Sequence, residues 1–397
     1  MGRRPFARAW QAALLTAAML APSAAPDVAR AADDLACHQQ PGSRWFWIER
    51  AFCDLPTNGP ERASGAIIWN HGISGTTQSW MAPAPPAFRL LQARGWDVVM
   101  LKRHHAAEGD NALYRTVQRT LQEVAALKKA GYRKVALAGQ SFGGYVTLEA
   151  IDSAPDIDAA IALAPGVRSS SAAGGLDASI TDRILQRARV GRVALVFPKH
   201  DALFNYIVRG ENAQAILARR PLPYLLVDET SEITGHGGGV TGRFALRYGL
   251  CLADFLAASN PPGTRFTCPP LADEWPVVRE LLLPRAAERP RLVREASAFP
   301  EPVGALRGPR WALLGDSLVL VALVDGGADQ LRLLYRSTGF AGGVFDATVT
   351  DNAISARLSN GATVTLTPGG DGTLKWTASD NSRSVQAPLT RGKDEHD

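Results

Sequence analysis

Six short, almost uninterrupted apolar runs constrain this chain more than any other feature. They are "GAIIWNHG", "DVVMLKRHH", "KVALAGQ", "IDAAIALAPG", "RVALVFPKHD" and "PYLLVDET", spread between Gly65 and Thr230. A strand with one wet face alternates apolar and polar residues, so near-continuous runs need cover on both faces, as in a parallel sheet with helices on either side. The intervening segments supply those helices. "NALYRTVQRTLQEVAALKK" places Leu113, Val117, Leu121 and Val124 at helical spacing, and "NYIVRGENAQAILARR" and "TGRFALRYGLCLADFLAA" read the same way. The expectation is an α/β fold with a doubly wound, mostly parallel sheet and right-handed crossovers. An earlier segment, "SRWFWIERAFCD", can add an antiparallel edge strand or hairpin.

The texture changes after Cys268. A Pro- and Arg-rich stretch reads as a helix followed by a linker, and beyond it "DSLVLVALVDGGADQLRLLYRST" and "FDATVTDNAISARLSNGATVTLTPGGDGTLKWTAS" are strands joined by Gly-, Asn- and Asp-containing turns. The organisation expected is a leader over 1–31, an α/β domain over 32–290, a linker over 291–306, a small antiparallel β-domain over 307–391 and a charged tail over 392–397. In the β-domain one face of each strand is expected to fill a core of its own while the other stays in water. Trp311, Tyr335, Phe340 and Trp376 are then either core residues or contacts on the open face.

Arg3, Arg4 and Arg8 precede an apolar run that ends in small residues, with Ala29-Arg30-Ala31 as a cleavage site. This is the pattern of a secretory signal peptide, and Arg3-Arg4-Pro5-Phe6 also has the look of a twin-arginine leader. No later segment has the roughly 20 consecutive apolar residues that a membrane-spanning helix needs. A periplasmic or secreted protein is expected. In an oxidising compartment the four cysteines form two disulfides, and the sequential pairing Cys37–Cys53 and Cys251–Cys268 closes two short local loops. The formal net charge of +5 is dispersed along the chain, which leaves no nucleic-acid footprint. No P-loop or dinucleotide fingerprint occurs, and no cofactor is expected. His104-His105 with Glu108 or Asp110 is a weak candidate for a metal site, because adjacent histidines point in different directions.

Gly139-Gln140-Ser141-Phe142-Gly143 reads G-x-S-x-G where the apolar strand "KVALA" gives way to the helical "GYVTLEA". A serine on a sharp strand-to-helix turn is presented as a nucleophile, glycines on either side keep that turn free of collisions, and the helix N-terminus favours developing negative charge. From about Ser64 to Ala258 the chain resembles the α/β-hydrolase superfamily, and within it the dienelactone-hydrolase-like and prolyl-oligopeptidase-like serine hydrolases. The resemblance implies the chain order nucleophile, acid, histidine, each on a loop at the carboxyl end of a strand. By that match Ser141 is the nucleophile, Asp201 after "VALVFPKH" the acid, and His236 after "YLLVDETSEITG" the base; Asp228 and Glu229 are the alternative acids. It also implies an oxyanion hole from two main-chain N–H groups, those of Phe142 and of Ile73 in His71-Gly72-Ile73. His236-Gly237-Gly238-Gly239 imitates an oxyanion motif but lies downstream of the nucleophile, where that motif does not belong.

The function expected is hydrolysis of a carboxylic ester, small or polymeric, through an acyl-enzyme. A peptidase or amidase would use the same residues, and a non-catalytic binding protein would have no need of all three. The stretch from Val167 to Arg189 leaves room only for a small cap. The β-domain, with no histidine before the tail, is expected to contribute nothing to the chemical step, so that removing it spares hydrolysis of a small ester.

Overall fold

A computed structural model describes residues 35–39, 42, 44–73, 79–107, 111–154, 156–166, 175–259, 261, 263–283, 304–327, 330–339 and 342–393. The leader over 1–31, nearly all of the linker, Phe340, Glu108 and Asp110 lie outside them.

The first sheet has eight strands: β1 (Phe46–Arg50), β2 (Gly65–Asn70), β3 (Trp96–Arg103), β4 (Val135–Gln140), β5 (Ala159–Leu163), β6 (Val193–Val196), β7 (Tyr224–Val227) and β8 (Arg265–Phe266). Their spatial order is β1-β3-β2-β4-β5-β6-β7-β8. Only β1 runs antiparallel, with Phe46 opposite Arg103; the others are parallel. The segment before the first apolar run thus forms the antiparallel edge strand. Every residue of β2, β3, β5, β6 and β7 is buried, which is why their sequences carry no alternation.

The helices are α1 (Gly59–Arg62), α2 (Pro86–Ala93), α3 (Ala112–Lys129), α4 (Phe142–Ser153), α5 (Gly175–Arg187), α6 (Tyr206–Leu217), α7 (Gly242–Ala257) and α8 (Trp275–Leu282). They divide between the two faces. One apolar cluster joins the sheet to α2, α7 and α8 through residues such as Phe88, Phe244, Phe255 and Val278. The other joins it to α3, α4, α5 and α6 through Val117, Val146, Ile184 and Leu217. Cys37 is bonded to Cys53 across β1. Cys251, inside α7, is bonded to Cys268 beyond β8. Each closes a loop of about 15 residues, worth about 3 kcal/mol on the chain-entropy model.

The carboxyl-terminal strands are β9 (Arg310–Leu314), β10 (Ser317–Asp325), β11 (Leu331–Ser337), β12 (Gly343–Thr350), β13 (Ala353–Arg357), β14 (Thr363–Thr367), β15 (Thr373–Thr377), β16 (Ser384–Pro388) and β17 (Thr390–Arg391). They form an antiparallel meander in which β17 returns to β9, pairing Thr390 with Trp311, so the sheet nearly closes into a barrel. Val319, Val321, Leu333, Tyr335, Ile354, Val364 and Leu366 fill its interior. Strands β13 and β14 alternate buried and more exposed positions as their sequences do.

Strand β10 differs from the expectation of one wet face. Its positions Leu318 to Val324 are all buried: of its outer residues, Leu318 and Leu320, together with Trp311 of β9, join the apolar cluster of α7 and α8, and Ala322 and Val324 pack with Leu334 and Val344 of the neighbouring strands. "SLVLVALV" is as continuous as the runs of the parallel sheet, and for the same reason: both faces are covered. Trp311 and Tyr335 are core residues, and Trp376 packs partly buried against the barrel interior.

Candidate active site

Strand β4 lies at the centre of the parallel sheet, and its carboxyl end carries Ser141 directly before α4. Ser141 has φ 55° and ψ −122°, outside the regions an L-residue ordinarily occupies. The turn persists because its surroundings fix it: the Ser141 N–H donates to Leu163 O at 2.9 Å, and its carbonyl accepts from Tyr145 and Gly166. A Cβ on Gly139 would lie 2.2 Å from the Gly143 carbonyl carbon, and one on Gly143 would lie 2.0 Å from Asn70 O. Both positions must be glycine, since backbone stands where any side chain would go.

Asp201 follows β6, and its side chain is almost wholly buried. Its Oδ1 accepts the Leu203 N–H at 2.9 Å, and its Oδ2 lies 2.9 Å from His236 Nδ1. The loops that carry the two residues are tied together independently: Lys199 N–H donates to Ile233 O, and Gly235 N–H to Lys199 O, each at 2.7 Å. The pairing fixes Nδ1 as the imidazole's donor, leaving Nε2 as the acceptor. Nε2 is shielded from solvent and has no hydrogen-bond partner among the described residues, Ser141 Oγ included. Asp228 is engaged elsewhere, accepting from Thr230 and from Arg265 at 3.0 Å. Burial works to raise its carboxyl, but the Thr230 bonds and the Arg265 charge outweigh that and hold it below the usual range. The His200 Nδ1 lies 3.5 Å from the Tyr206 hydroxyl.

Two groups of residues with no signature in the sequence complete the site. Gln140 Nε2 donates to His236 O at 3.2 Å, linking the serine turn to the histidine loop. Arg103, at the end of β3, is fully buried. It donates to Gly72 O at 3.0 Å and His71 O at 3.4 Å while its guanidinium lies 4.6 Å from the centre of the Phe142 ring. One buried cation therefore braces both loops that carry the expected oxyanion donors. Gly72 runs beside the serine, where a Cβ would come within 3.4 Å of Ser141 Cβ. The Phe142 N–H belongs to the first turn of α4, where a helix offers no internal acceptor. His71 packs beneath: Nδ1 bonds Gly72 O at 2.7 Å, and Nε2 accepts the Arg103 N–H at 3.0 Å. Burial first, then the Arg103 charge, hold its imidazole well below the usual value and keep it neutral.

A Cβ on Gly238 would meet Ile233 at 2.7 Å and one on Gly239 would meet Leu163 at 3.1 Å, so these residues let the loop pass through a tight space. Phe204 stands beside the histidine, ring centres 5.4 Å apart, and it fills the space where Gly166 lacks a side chain. Leu203, Ile207 and Val208, its near neighbours in the sequence, are exposed. Among the described residues no cluster of His, Cys, Asp or Glu could hold a metal ion, and no helix is long and apolar enough to cross a membrane.

A central parallel sheet in this strand order, with an antiparallel first strand and a serine on a strained turn between the fourth strand and its helix, decides the architecture. The chain has the α/β-hydrolase fold. No protein-family model matches the sequence, and no curated protein matches it. Among solved structures the chain is similar to the esterase Pf2001 of Pyrococcus furiosus, with 12% identity, 50% of this chain and 84% of that one covered and a TM-score of 0.36. It is similar to the carboxylesterase CesB of Bacillus subtilis, at 14%, 50% and 85%, and 0.35. It is also similar to a 2,6-dihydroxy-pseudo-oxynicotine hydrolase, at 15%, 58% and 68%, and 0.36. Likenesses this distant carry nothing about substrate or mechanism.

Proposed function

We propose that the protein is an exported serine hydrolase that cleaves a carboxylic ester through an acyl-enzyme. The observation that carries this reading is the His236 imidazole, bonded through Nδ1 to buried Asp201, on a loop that Gln140, the residue before the strained Ser141, ties to the serine turn. A histidine so held is ready to accept a proton. In the first half-reaction Ser141 Oγ attacks the ester carbonyl, His236 Nε2 takes the serine proton, and Asp201 stabilises the imidazolium without being protonated itself. The tetrahedral oxyanion is met by the N–H groups of Phe142 and Ile73. His236 then returns the proton to the leaving alkoxide, and water repeats the sequence on the acyl-enzyme.

The apolar surroundings of Phe204, Leu203, Ile207 and Val208 favour an ester with an apolar group beside the scissile bond. Export is supported by the signal-peptide pattern over 1–31 and by the two disulfides, which persist in oxidising compartments. The test is labelling of the purified protein with a fluorophosphonate, followed by a panel of esters and peptides. Ser141→Ala is expected to remain folded, to lose labelling and to lose hydrolysis by several orders of magnitude. Turnover within about tenfold of wild type in that variant would exclude Ser141 as nucleophile, and cleavage of peptides in preference to esters would move the substrate class to amides.

A further inference from the structure

We propose that the C-terminal β-domain positions His236, acting through the turn between β9 and β10. The inference rests on the reading of His236 as the catalytic base, and it reverses the expectation that the domain is dispensable for the chemistry.

His236 and the first residue of α7, Gly242, are separated by a short, tightly bonded segment. Thr241 Oγ1 donates to Gly238 O at 2.8 Å and accepts the Phe244 N–H at 3.1 Å, so the histidine loop and the first turn of α7 form one unit. A helix leaves its first N–H groups without internal partners. Here the β-domain provides one: the Arg243 N–H donates to Asp316 O at 3.1 Å. The Arg243 side chain adds Nε to Asp316 Oδ1 at 3.0 Å and Nη2 to Gly315 O at 2.9 Å. Gly242 is in closer contact still. A Cβ there would lie 2.5 Å from Leu318 N and 2.3 Å from Thr338 Oγ1, both in the β-domain.

The other side of the loop is tied to the same arginine. Glu232, four residues before His236, pairs with Arg243 at 3.5 Å and Arg247 at 2.5 Å. Arg243 therefore joins the segment leading into His236, the helix leaving it and the turn of the β-domain. Exposed ion pairs contribute little singly. The main-chain bond and the absence of space at Gly242 are what make the contact rigid, and the apolar docking of Leu318 and Leu320 on α7 and α8 maintains it. Reaction geometry is sensitive to this kind of support: a displacement of about 1 Å transmitted from outside the site can cost about a hundredfold in rate.

The experiment uses the full-length protein, with kcat and KM measured on a small soluble nitrophenyl ester and folding followed by near-UV circular dichroism. Gly242→Val, which must part helix and barrel, is expected to lower kcat at least about tenfold with KM within about twofold. Arg243→Pro, which removes the main-chain donor in the first turn of α7, where proline is tolerated, is expected to lower kcat about threefold to tenfold, whereas Asp316→Ala, which keeps that bond, is expected to stay within about threefold. A purely structural contact would move the unfolding midpoint and leave kcat alone. Folded Gly242→Val with kcat within twofold of wild type overturns the proposal; if that variant does not fold, unchanged kcat in the milder Gly242→Ala, whose single methyl meets the same Leu318 and Thr338 atoms, overturns it instead. His236→Ala separates the two readings. Retained hydrolysis in that variant removes the catalytic reading and this proposal with it, whereas lost hydrolysis there beside unchanged kcat in the docking variants removes only this proposal.

Discussion

Replacing Ser141 by glycine should make the protein more stable than replacing it by alanine, the reverse of the usual order. With φ 55° and ψ −122°, a residue bearing a Cβ is held in a sparsely populated conformation, which costs about 1–3 kcal/mol. Glycine escapes that cost but adds about 0.5–1 kcal/mol of unfolded-chain entropy relative to alanine. The balance favours Ser141→Gly over Ser141→Ala by about 1 kcal/mol, and both variants lack the nucleophile. In urea unfolding, with a slope of about 3 kcal/mol per molar for a chain of this size, the glycine midpoint should lie about 0.3 M higher. A glycine variant less stable than alanine by the ordinary 0.5–1 kcal/mol would show that the turn stores no strain. The geometry that lifts the hydroxyl out of the sheet would then need another explanation.

Asp201→Asn should lower kcat by about three to four orders of magnitude, because an amide cannot hold the imidazole in the required tautomer. Asp228→Asn, which touches Thr230 and Arg265 rather than His236, should cost less than tenfold; rates for the two variants on one ester check the difference. Arg103→Met removes the cation that braces both oxyanion loops, and a fall in kcat of about ten- to a hundredfold with KM changed only a few-fold is expected. His71 makes stability depend on pH. Its folded imidazole stays neutral well below the unfolded value of about 6.5, so below that pH the unfolded chain binds a proton that the folded chain refuses. Its contribution is complete above about pH 6.5 and is lost as pH falls toward the depressed folded value. Between pH 7 and 5.5 the wild type should lose about 1 kcal/mol more than His71→Gln in urea unfolding.

The sequence by itself determined the parallel sheet, since its continuous apolar runs have no other economical burial, and it marked the turn at Ser141, where the collision that Gly139 avoids, with Gly143, is local in the chain; the one that Gly143 avoids, with Asn70 of β2, is set by the sheet. The cysteine pairs closed over 16 and 17 residues were legible for the same reason of proximity. Asp201 and His236 could be placed only through a family resemblance, because no local pattern says that two residues 35 apart will share a hydrogen bond. The support of the site was not legible at all. Arg103 reads as an ordinary charged strand end, and its meaning depends on β3 lying beside β2, so that its buried guanidinium meets the carbonyls of His71 and Gly72. The apolar outer face of β10 is visible as letters, but a single strand does not announce what packs against it. Only the tertiary structure sets Leu318 and Leu320 on α7 and α8 and brings the Asp316 carbonyl to the open N-terminus of the helix that follows His236. Such contacts join residues some 70 positions apart, and the physical requirement they meet, a partner for a buried face and an acceptor for an unpaired N–H, fixes that a partner must exist without naming it.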